Sequence, residues 1–225
     1  MATLRYLGHA CFILEQQGTS ILFDPFLTGN PLAPSLPELK PTLILVTHGH
    51  GDHLGDALDI AKRSGAPILT MVELASYCAS KGAKATGANY GGKVAFDFGW
   101  VKLVPAWHTS SVPEGVYVGN PCGFVVNFFG KTFYHPGDTC VFEDMKLIAE
   151  LTPIDVAYLP VGDFYTMGTD EAVKAVQLLQ PKIVIPGHYG TFPVLVPNAN
   201  DFRQSVERAT TAQCVVLKPG ETYNM

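Results

Sequence analysis

Several features that assign proteins to common functional classes are missing from this sequence of 225 residues. No apolar run is long enough to cross a bilayer, so no membrane span is expected. The first residues lack the basic segment and apolar stretch of a signal peptide, so we expect no export signal. The formal net charge of −5 gives no basic surface, so we expect no nucleic-acid partner.

Cysteine is sparse and follows no pattern. The chain has five cysteines, an odd number, and no two of them form a C-x-x-C pair. This usage predicts reduced thiols, most of them packed in the core, and a cytoplasmic location. A G-x-S-x-G motif is also missing, so the sequence offers no serine nucleophile of the α/β-hydrolase kind.

Apolar residues, by contrast, are abundant. Hydrophobic residues make up 47% and charged residues 16% of the chain, which predicts a large core and excludes a disordered chain. No linker or internal repeat divides the sequence, so we predict one domain over residues 1–225. Two sheets packed face to face with helices outside would fit the order of the elements. After opening strands in each half, the predicted helices are 56–63, 73–81, 141–151, 169–180 and 201–210.

One segment concentrates potential metal ligands. His48, His50, Asp52 and His53 lie within positions 48–53, directly after an apolar, β-branched run that is typical of a buried strand. Imidazole and carboxylate groups bind zinc, iron, manganese and nickel. A purely structural role is disfavoured, because a buried polar cluster needs partners and none is evident in the sequence. The segment therefore predicts a metal site at the carboxyl end of a strand, where α/β sheets place their chemistry.

Three further candidate ligands follow apolar runs elsewhere in the chain. His108 comes after residues 101–107, His188 comes after residues 182–187, and Asp138 lies just past a predicted strand. Each of them alone would be interpreted as a core histidine or a turn residue. If these strands end at one edge of the fold, the three side chains can meet the histidine cluster.

The order of these residues resembles that of the metallo-β-lactamase superfamily. The H-x-H-x-D-H segment, the lone His108, the Gly-Asp-Thr at 137–139 and the Gly-His at 187–188 follow one another as they do there, and the resemblance covers essentially the whole chain. Within that superfamily the chain resembles the small UPF0173-type metal-dependent hydrolases, relatives of ascorbate-6-phosphate lactonase and of N-acyl-phosphatidylethanolamine phospholipase D. The segments that support this closer resemblance are residues 6–12, 24–31 and 165–168.

The resemblance implies a four-layer αββα sandwich of two mixed β-sheets flanked by helices, with two divalent metal ions at one edge. The ions would be Zn, Mn, Ni or Fe. A histidine at position 50, where the di-iron flavoproteins have a glutamate, disfavours an oxygen-reducing site. The implied ligands are His48, His50 and His108 for the first ion, Asp52, His53 and His188 for the second, and Asp138 for both.

Two cations roughly 3.5–4 Å apart lower the pKa of a bridging water and stabilise charge on a reacting oxygen. The resemblance therefore implies hydrolysis of a small ester, lactone or phosphodiester, with a small molecule as the partner. Asp52 and Asp138 would take part in catalysis. His9 lies in a predicted turn between two strands. It would donate a proton to the leaving group or hold an anionic substrate, or else it makes hydrogen bonds at the strand end.

Further residues are expected to support the ligands or to line the pocket. Asp24 resembles the first-motif aspartate of the superfamily, and with Thr47 it would orient the imidazole rings. The Pro- and Gly-rich residues 28–40 are a candidate lid, because loops of this length are usually functional. The expected pocket walls are Asn30, Phe164, Tyr165, Met167 and Tyr189.

Alternative interpretations remain open. A nuclease of the same superfamily is disfavoured by the acidic charge balance and the lack of a basic arm. A non-catalytic protein that binds a metal or metabolite would keep the same ligands. His135 is interpreted as structural or as a partner behind the ligands, and Cys140 as a packed thiol. The oligomeric state is open, with a homo-oligomer as one option.

Overall fold

The computed structural model describes residues 1–36 and 38–225. Residue 37, inside the candidate lid, lies outside the described residues. The strands are β1 (Thr3–Gly8), β2 (Cys11–Gln16), β3 (Thr19–Phe23), β4 (Leu43–Leu45), β5 (Ile68–Met71), β6 (Ala85–Ala88), β7 (Lys93–Phe96), β8 (Gly99–Pro105), β9 (Cys122–Phe128), β10 (Lys131–His135), β11 (Val156–Pro160), β12 (Ile183–Gly187), β13 (Gln213–Cys214) and β14 (Thr222–Asn224). The helices are α1 (Gly51–Leu54), α2 (Ala57–Ser64), α3 (Val72–Ser80), α4 (Met145–Leu151), α5 (Thr169–Leu179) and α6 (Asn200–Ala209).

The strands form two mixed sheets, one from each half of the chain. The first sheet has the order β14-β1-β2-β3-β4-β5-β6, and the second has the order β13-β12-β11-β10-β9-β8-β7. In each sheet the early strands pair antiparallel, and the later strands, which alternate with helices, pair parallel. The C-terminal β14 returns to pair antiparallel with β1 in the first sheet.

Strand periodicity explains how the layers pack. In β2, Phe12 and Leu14 belong to a core cluster that includes residues of both sheets, whereas Cys11 and Ile13 belong to a cluster shared with α2 and α3. Alternate residues of a strand point to opposite faces, so each sheet buries one face against the other sheet and one against helices. A third cluster joins the second sheet to α4, α5 and α6. The predicted four-layer αββα sandwich is confirmed.

The strand directions bring the candidate ligands to one edge. In the first sheet, β1, β3 and β4 run in the same direction, because β2 pairs antiparallel with β1 and β3 while β4 pairs parallel with β3. The same pairing logic makes β8, β10 and β12 run in one direction in the second sheet. The residues that follow these six strand ends are His9, Asp24, His48, His108, Asp138 and His188.

Some local predictions were wrong. The helix predicted at 141–151 begins only at Met145, because residues 141–144 form a loop and a turn. The helix predicted at 169–180 ends one residue earlier, at Leu179. Residues 51–54 inside the ligand motif form the short helix α1. This turn of helix places the side chain of Asp52 and that of His53 in different directions.

The candidate lid lines a cavity other than the pocket beside the candidate ligands. Its described residues, among them Leu36 and Leu39, line a surface cavity with Ile60 and Arg63 of α2. None of the described residues of 28–40 lines the pocket beside the histidines, so the lid prediction is wrong for that part of the segment. In the described part of the chain, no helix combines the length and the apolar character that a bilayer crossing requires.

Candidate metal centre

The first group of candidate ligands combines both sheets. His48 and His50 follow β4 of the first sheet, and His108 follows β8 of the second. One ring nitrogen from each lies within 4.8 Å of the others, and His48 Nε2 is 3.0 Å from His50 Nδ1. Three imidazoles that converge in this way form a donor set of the kind that zinc and related metals prefer.

A second group lies beside the first. Asp52, His53 and His188 bring ligand atoms within 4.8 Å of one another, together with His9. The Nε2 atom of His188 is 4.0 Å from Asp52 Oδ2. His188 reaches this position because Gly187 precedes it: a Cβ atom at Gly187 would lie 2.5 Å from the carbonyl oxygen of His9. The Gly-His pair of the sequence is thus a packing requirement.

Asp138 lies between the two groups. Its Oδ1 is 3.2 Å from His53 Nε2, and its Oδ2 is 3.0 Å from His188 Nε2 and 3.7 Å from His108 Nε2. One carboxylate therefore approaches a histidine of the first group and two of the second. This is the arrangement that a bridging ligand requires.

Several buried atoms of the site have no hydrogen-bond partner within the described residues. They are His53 Nε2, Asp138 Oδ1 and both ring nitrogens of His188. Buried polar atoms are nearly always paired, because an unpaired one costs about 1–3 kcal/mol. Three of these atoms, His53 Nε2, Asp138 Oδ1 and His188 Nε2, lie close together between the two ligand groups, and a divalent cation would satisfy them. His188 Nδ1 lies on the other side of its ring, toward Gly162. The donor set therefore fits metal ions.

Hydrogen bonds fix the tautomers of two histidines. The buried Asp24 accepts from His53 Nδ1 at 2.7 Å and from Thr47 Oγ1 at 2.7 Å. Since the hydroxyl of Thr47 donates its proton to Asp24, it must accept from His48 Nδ1, 2.9 Å away. In both rings Nδ1 carries the proton, which leaves the Nε2 lone pair free toward the site. Asp24 and Thr47 thus act on the ring orientation, as partners behind metal ligands commonly do.

The pKa shifts of Asp138 and His53 are consistent with a site that binds a positive charge. Burial alone would raise the pKa of Asp138, but His188 and His53 hold that pKa well below its usual range. Burial would lower the pKa of His53, but the carboxylates of Asp138 and Asp24 raise it well above its usual value. Without a cation, a proton on His53 would balance these buried carboxylates. A divalent ion would supply twice that positive charge and would bind more of the surrounding groups.

His9 contacts the centre from behind Asp52. Its Nε2 donates to Asp52 Oδ2 at 3.1 Å, so its Nδ1 accepts from Thr191 Oγ1 at 2.9 Å. Burial and the neighbouring His188 lower the pKa of His9 to about 4, so the ring is neutral near pH 7. Both His9 and His188 have positive φ angles, of 58° and 57°, and the amide of His188 donates to the carbonyl of His9 at 2.8 Å. Non-glycine residues in this region are strained, and such strain often occurs at functional sites.

Comparison with known proteins assigns the chain to a family. A sequence model described as the beta-lactamase superfamily domain matches residues 3–188. The chain belongs to the metallo-β-lactamase superfamily. It is 49% identical over 225 residues to a UPF0173 metal-dependent hydrolase of Pelotomaculum thermopropionicum, with 98% of each chain covered. It is 47% identical over 226 residues to a UPF0173 metal-dependent hydrolase of Thermus thermophilus, with 100% of each covered.

A solved structure supports the same assignment within the superfamily. Igni18, described as a novel metallo hydrolase from Ignicoccus hospitalis, superimposes with a TM-score of 0.91 and is 38% identical. The alignment covers 100% of this chain and 99% of Igni18. The resemblance to UPF0173-type metal-dependent hydrolases that the sequence suggested is therefore confirmed over the full length of the chain.

A pocket of about 720 Å³ opens beside the candidate metal ligands. One side consists of candidate ligands and the other is largely apolar. The lining residues are Phe26, His50, Gly51, Asp52, His108, Thr109, Asp138, Tyr165, His188, Phe192, Pro193 and Val194. Sequence reasoning placed Tyr165 here but missed Phe26, Thr109, Phe192, Pro193 and Val194. For residues 192–194, the one available signal was their proximity in the sequence to the Gly-His pair.

The structure corrects other expected pocket walls. Asn30 is buried in its own loop, where its amide donates to Phe26 O at 3.0 Å and its side-chain oxygen accepts from Leu32 N at 2.9 Å. It supports the loop that carries Phe26 rather than lining the pocket. Met167 is fully buried in the cluster under α4–α6, because the loop closes on itself with Asp163 N donating to Met167 O at 3.1 Å.

Four more residues lie outside the described lining. Phe164 is exposed and contacts Tyr165 edge-on, while Tyr189 packs partly buried against the cluster under α4–α6. His135 is structural, as predicted: its Nε2 donates to Ala10 O at 2.8 Å and its ring stacks on Phe23. His9 is fully buried and both of its ring nitrogens are engaged, which leaves neither free to protonate a leaving group or hold a substrate anion.

Proposed function

We propose that residues 1–225 form one hydrolase domain that binds two divalent metal ions and cleaves a small ester, lactone or phosphodiester. The observation that carries this proposal is the convergence of seven candidate ligand side chains, with Asp138 between two groups and three of their buried atoms without a hydrogen-bond partner among the described residues. Relatives named metal-dependent hydrolases, nearly half identical over full length, support metal-dependent hydrolysis.

The proposed ligands are His48, His50 and His108 for one ion and Asp52, His53 and His188 for the other, with Asp138 shared. When bound, a pair of divalent ions supplies an activated water and stabilises developing negative charge on oxygen. Zn, Mn, Ni and Fe all suit imidazole and carboxylate donors, so metal availability would decide among them.

Residues behind the ligands would hold the site in shape. Asp24 and Thr47 fix the Nδ1–H tautomers of His53 and His48, so both rings present Nε2 toward the ions. His9 donates to Asp52 Oδ2, the oxygen that lies 4.0 Å from His188 Nε2, and a carboxylate oxygen has a second lone pair with which it could bind an ion. We assign His9 as a positioning residue for Asp52. Substrate would enter from the open pocket between Tyr165 and Val194.

The decisive experiment measures metal content and turnover in the same preparations. Wild-type protein reconstituted with Zn, Mn, Ni or Fe should contain about two equivalents per chain and hydrolyse at least one member of a panel of chromogenic esters, lactones and phosphodiesters. Asp138→Asn, which keeps the size of the side chain but removes its charge, should lose at least one equivalent and, by order of magnitude, a thousandfold or more in kcat/KM.

A matched control separates loss of the site from loss of a charge. Asp97 is exposed in the turn between β7 and β8, so Asp97→Asn makes the same chemical change away from the centre. It should keep both metals and full turnover. Wild-type turnover by Asp138→Asn would refute the proposal. Two bound equivalents without turnover across the panel would instead favour the non-catalytic alternative.

A further inference from the structure

If the proposed hydrolase function holds, the residues that line the pocket indicate which substrates it accepts. Opposite the ligands, the wall is made of Phe26, Tyr165, Phe192, Pro193 and Val194. Tyr165 and Val194 are exposed, so this apolar rim is open to solvent at its mouth. An exposed apolar surface beside a reactive centre gains free energy when an apolar group covers it, at about 25 cal/mol per Å².

Cationic side chains are missing from the pocket. No described lining residue is Lys or Arg. The sequence also contains no Lys or Arg in the segments that border the site, which are 6–39, 41–61, 103–130, 132–145 and 183–202. Sites that recognise phosphate or carboxylate groups usually present Arg or Lys to pair with the anion. This pocket offers no such partner.

The candidate ligands do not supply the positive charge that an anionic substrate would need. Asp24, Asp52 and Asp138 contribute three carboxylates within or directly behind the centre. They offset most of the charge of two divalent ions. A substrate with its own negative charge away from the reacting bond would therefore lose hydration against the apolar rim without gaining an ionic partner.

We infer that the pocket selects substrates with an apolar, uncharged group beside the reacting bond, and discriminates against substrates that carry a carboxylate or a phosphate in that group. The apolar group lies against Phe26, Phe192 and Val194. The polar side of the pocket, from His50 to His188, faces the reacting bond. This narrows the proposed substrates to those in which the group beside the reacting bond is uncharged.

Two matched esters test the inference. 4-Nitrophenyl butyrate and 4-nitrophenyl hemisuccinate share a leaving group and differ by a terminal methyl or carboxylate. The metal-loaded protein should favour butyrate in kcat/KM by about thirtyfold or more, since an unpaired charge at an apolar surface costs about 2 kcal/mol or more. Equal or better turnover of hemisuccinate would overturn the inference and leave the hydrolase proposal standing.

A charge placed on the rim should reverse the discrimination. Val194 is 50% exposed, so a lysine there can reach the pocket mouth without being buried. Val194→Lys should shift the butyrate-to-hemisuccinate ratio at least tenfold toward hemisuccinate. Val116 is 52% exposed and outside the described lining, so Val116→Lys is the same change elsewhere and should leave the ratio unchanged. An unchanged ratio in Val194→Lys, or an equal shift in Val116→Lys, would contradict the inference.

Binding gives a second readout that does not depend on turnover. The 4-nitroanilides of butyrate and of succinate carry the same acyl groups as the two esters, and their affinity can be measured by calorimetry on the metal-loaded protein. The butyryl compound should bind more tightly by about tenfold or more. Tighter binding of the succinyl compound would refute the inference, even if neither ester is hydrolysed and the proposed function has failed.

Discussion

The two sheet edges that meet at the centre are built differently. The edge of the first sheet contributes a contiguous segment, in which His48 and His53 are held by Thr47 and Asp24 through four hydrogen bonds of 2.7–2.9 Å. The edge of the second sheet contributes one ligand from each of three separate strand ends. Among the described residues, Asp138 Oδ1 and both ring nitrogens of His188 have no hydrogen-bond partner on this edge, whereas on the first edge one ligand atom, His53 Nε2, has none.

This difference indicates that the two edges depend on metal to different degrees. The first edge is preorganised, because hydrogen bonds set its tautomers and ring orientations before any ion binds. The second edge carries buried polar atoms whose partners are missing, and its order would come from the ions themselves. The centre therefore combines a rigid half with a half that metal binding completes.

Removal of metal should have the largest effect and should separate the two edges. At metal concentrations about a thousandfold above Kd, binding stabilises the folded state by about 4 kcal/mol, which chelation would remove. Hydrogen exchange should then accelerate more at residues 136–140 and 186–190 than at residues 47–54. Thermal unfolding and exchange mass spectrometry measure the two effects. Equal acceleration at both edges would contradict the comparison.

Loss of the carboxylate behind the first edge should come next. Asp24→Asn places an amide where Asp24 accepts from Thr47 N, Thr47 Oγ1 and His53 Nδ1, so at least one buried donor loses its acceptor. We expect a loss of about 2–4 kcal/mol in the free energy of unfolding and about 10–100-fold in metal affinity. Denaturant unfolding and chelator competition measure these, and Asp97→Asn is the matched control.

The positioning role of His9 predicts a smaller effect. Thr191→Val removes the hydroxyl that His9 Nδ1 accepts from, while it keeps the shape of the side chain. The His9 ring is then less constrained behind Asp52, and we expect metal affinity to fall about tenfold, as for other partners of metal ligands. Thr191→Ser keeps the hydroxyl and should restore the affinity to within threefold of wild type, by order of magnitude. Failure of serine to restore it would show that packing, rather than the hydrogen bond, explains the loss.

The smallest effect should come from the exposed side of the centre. Thr109 Oγ1 lies 3.3 Å from His50 Nε2 in an exposed position, a long contact that water can replace. Thr109→Val should change metal affinity by less than about threefold. A tenfold loss would mean that His50 needs the same kind of support as His48. The preorganised part of the first edge would then extend to the pocket side.

The two sheet edges also differ in how well the sequence predicts their residues. The contiguous segment 48–53 is recognisable from ligand type and spacing alone, and Asp24 from its resemblance to the superfamily motif. His108, Asp138 and His188 become candidates only as an ordered set, because each by itself resembles a core histidine or a turn residue. The pocket walls were predicted least well. Met167 is in the core and Phe192 lines the pocket, although both are apolar residues in loops of similar composition.

Periodicity and donor chemistry are properties of neighbouring residues, so the sequence alone predicts most of the strands and helices and the ligand types. It also shows that cations are missing from the segments that border the site. Three facts are visible only in the folded chain: six strand ends share one edge, His9 faces Asp52 rather than the substrate, and Phe26 and Val194 form one wall. These facts depend on how two sheets pack and where their loops approach each other, and packing joins residues far apart in the chain.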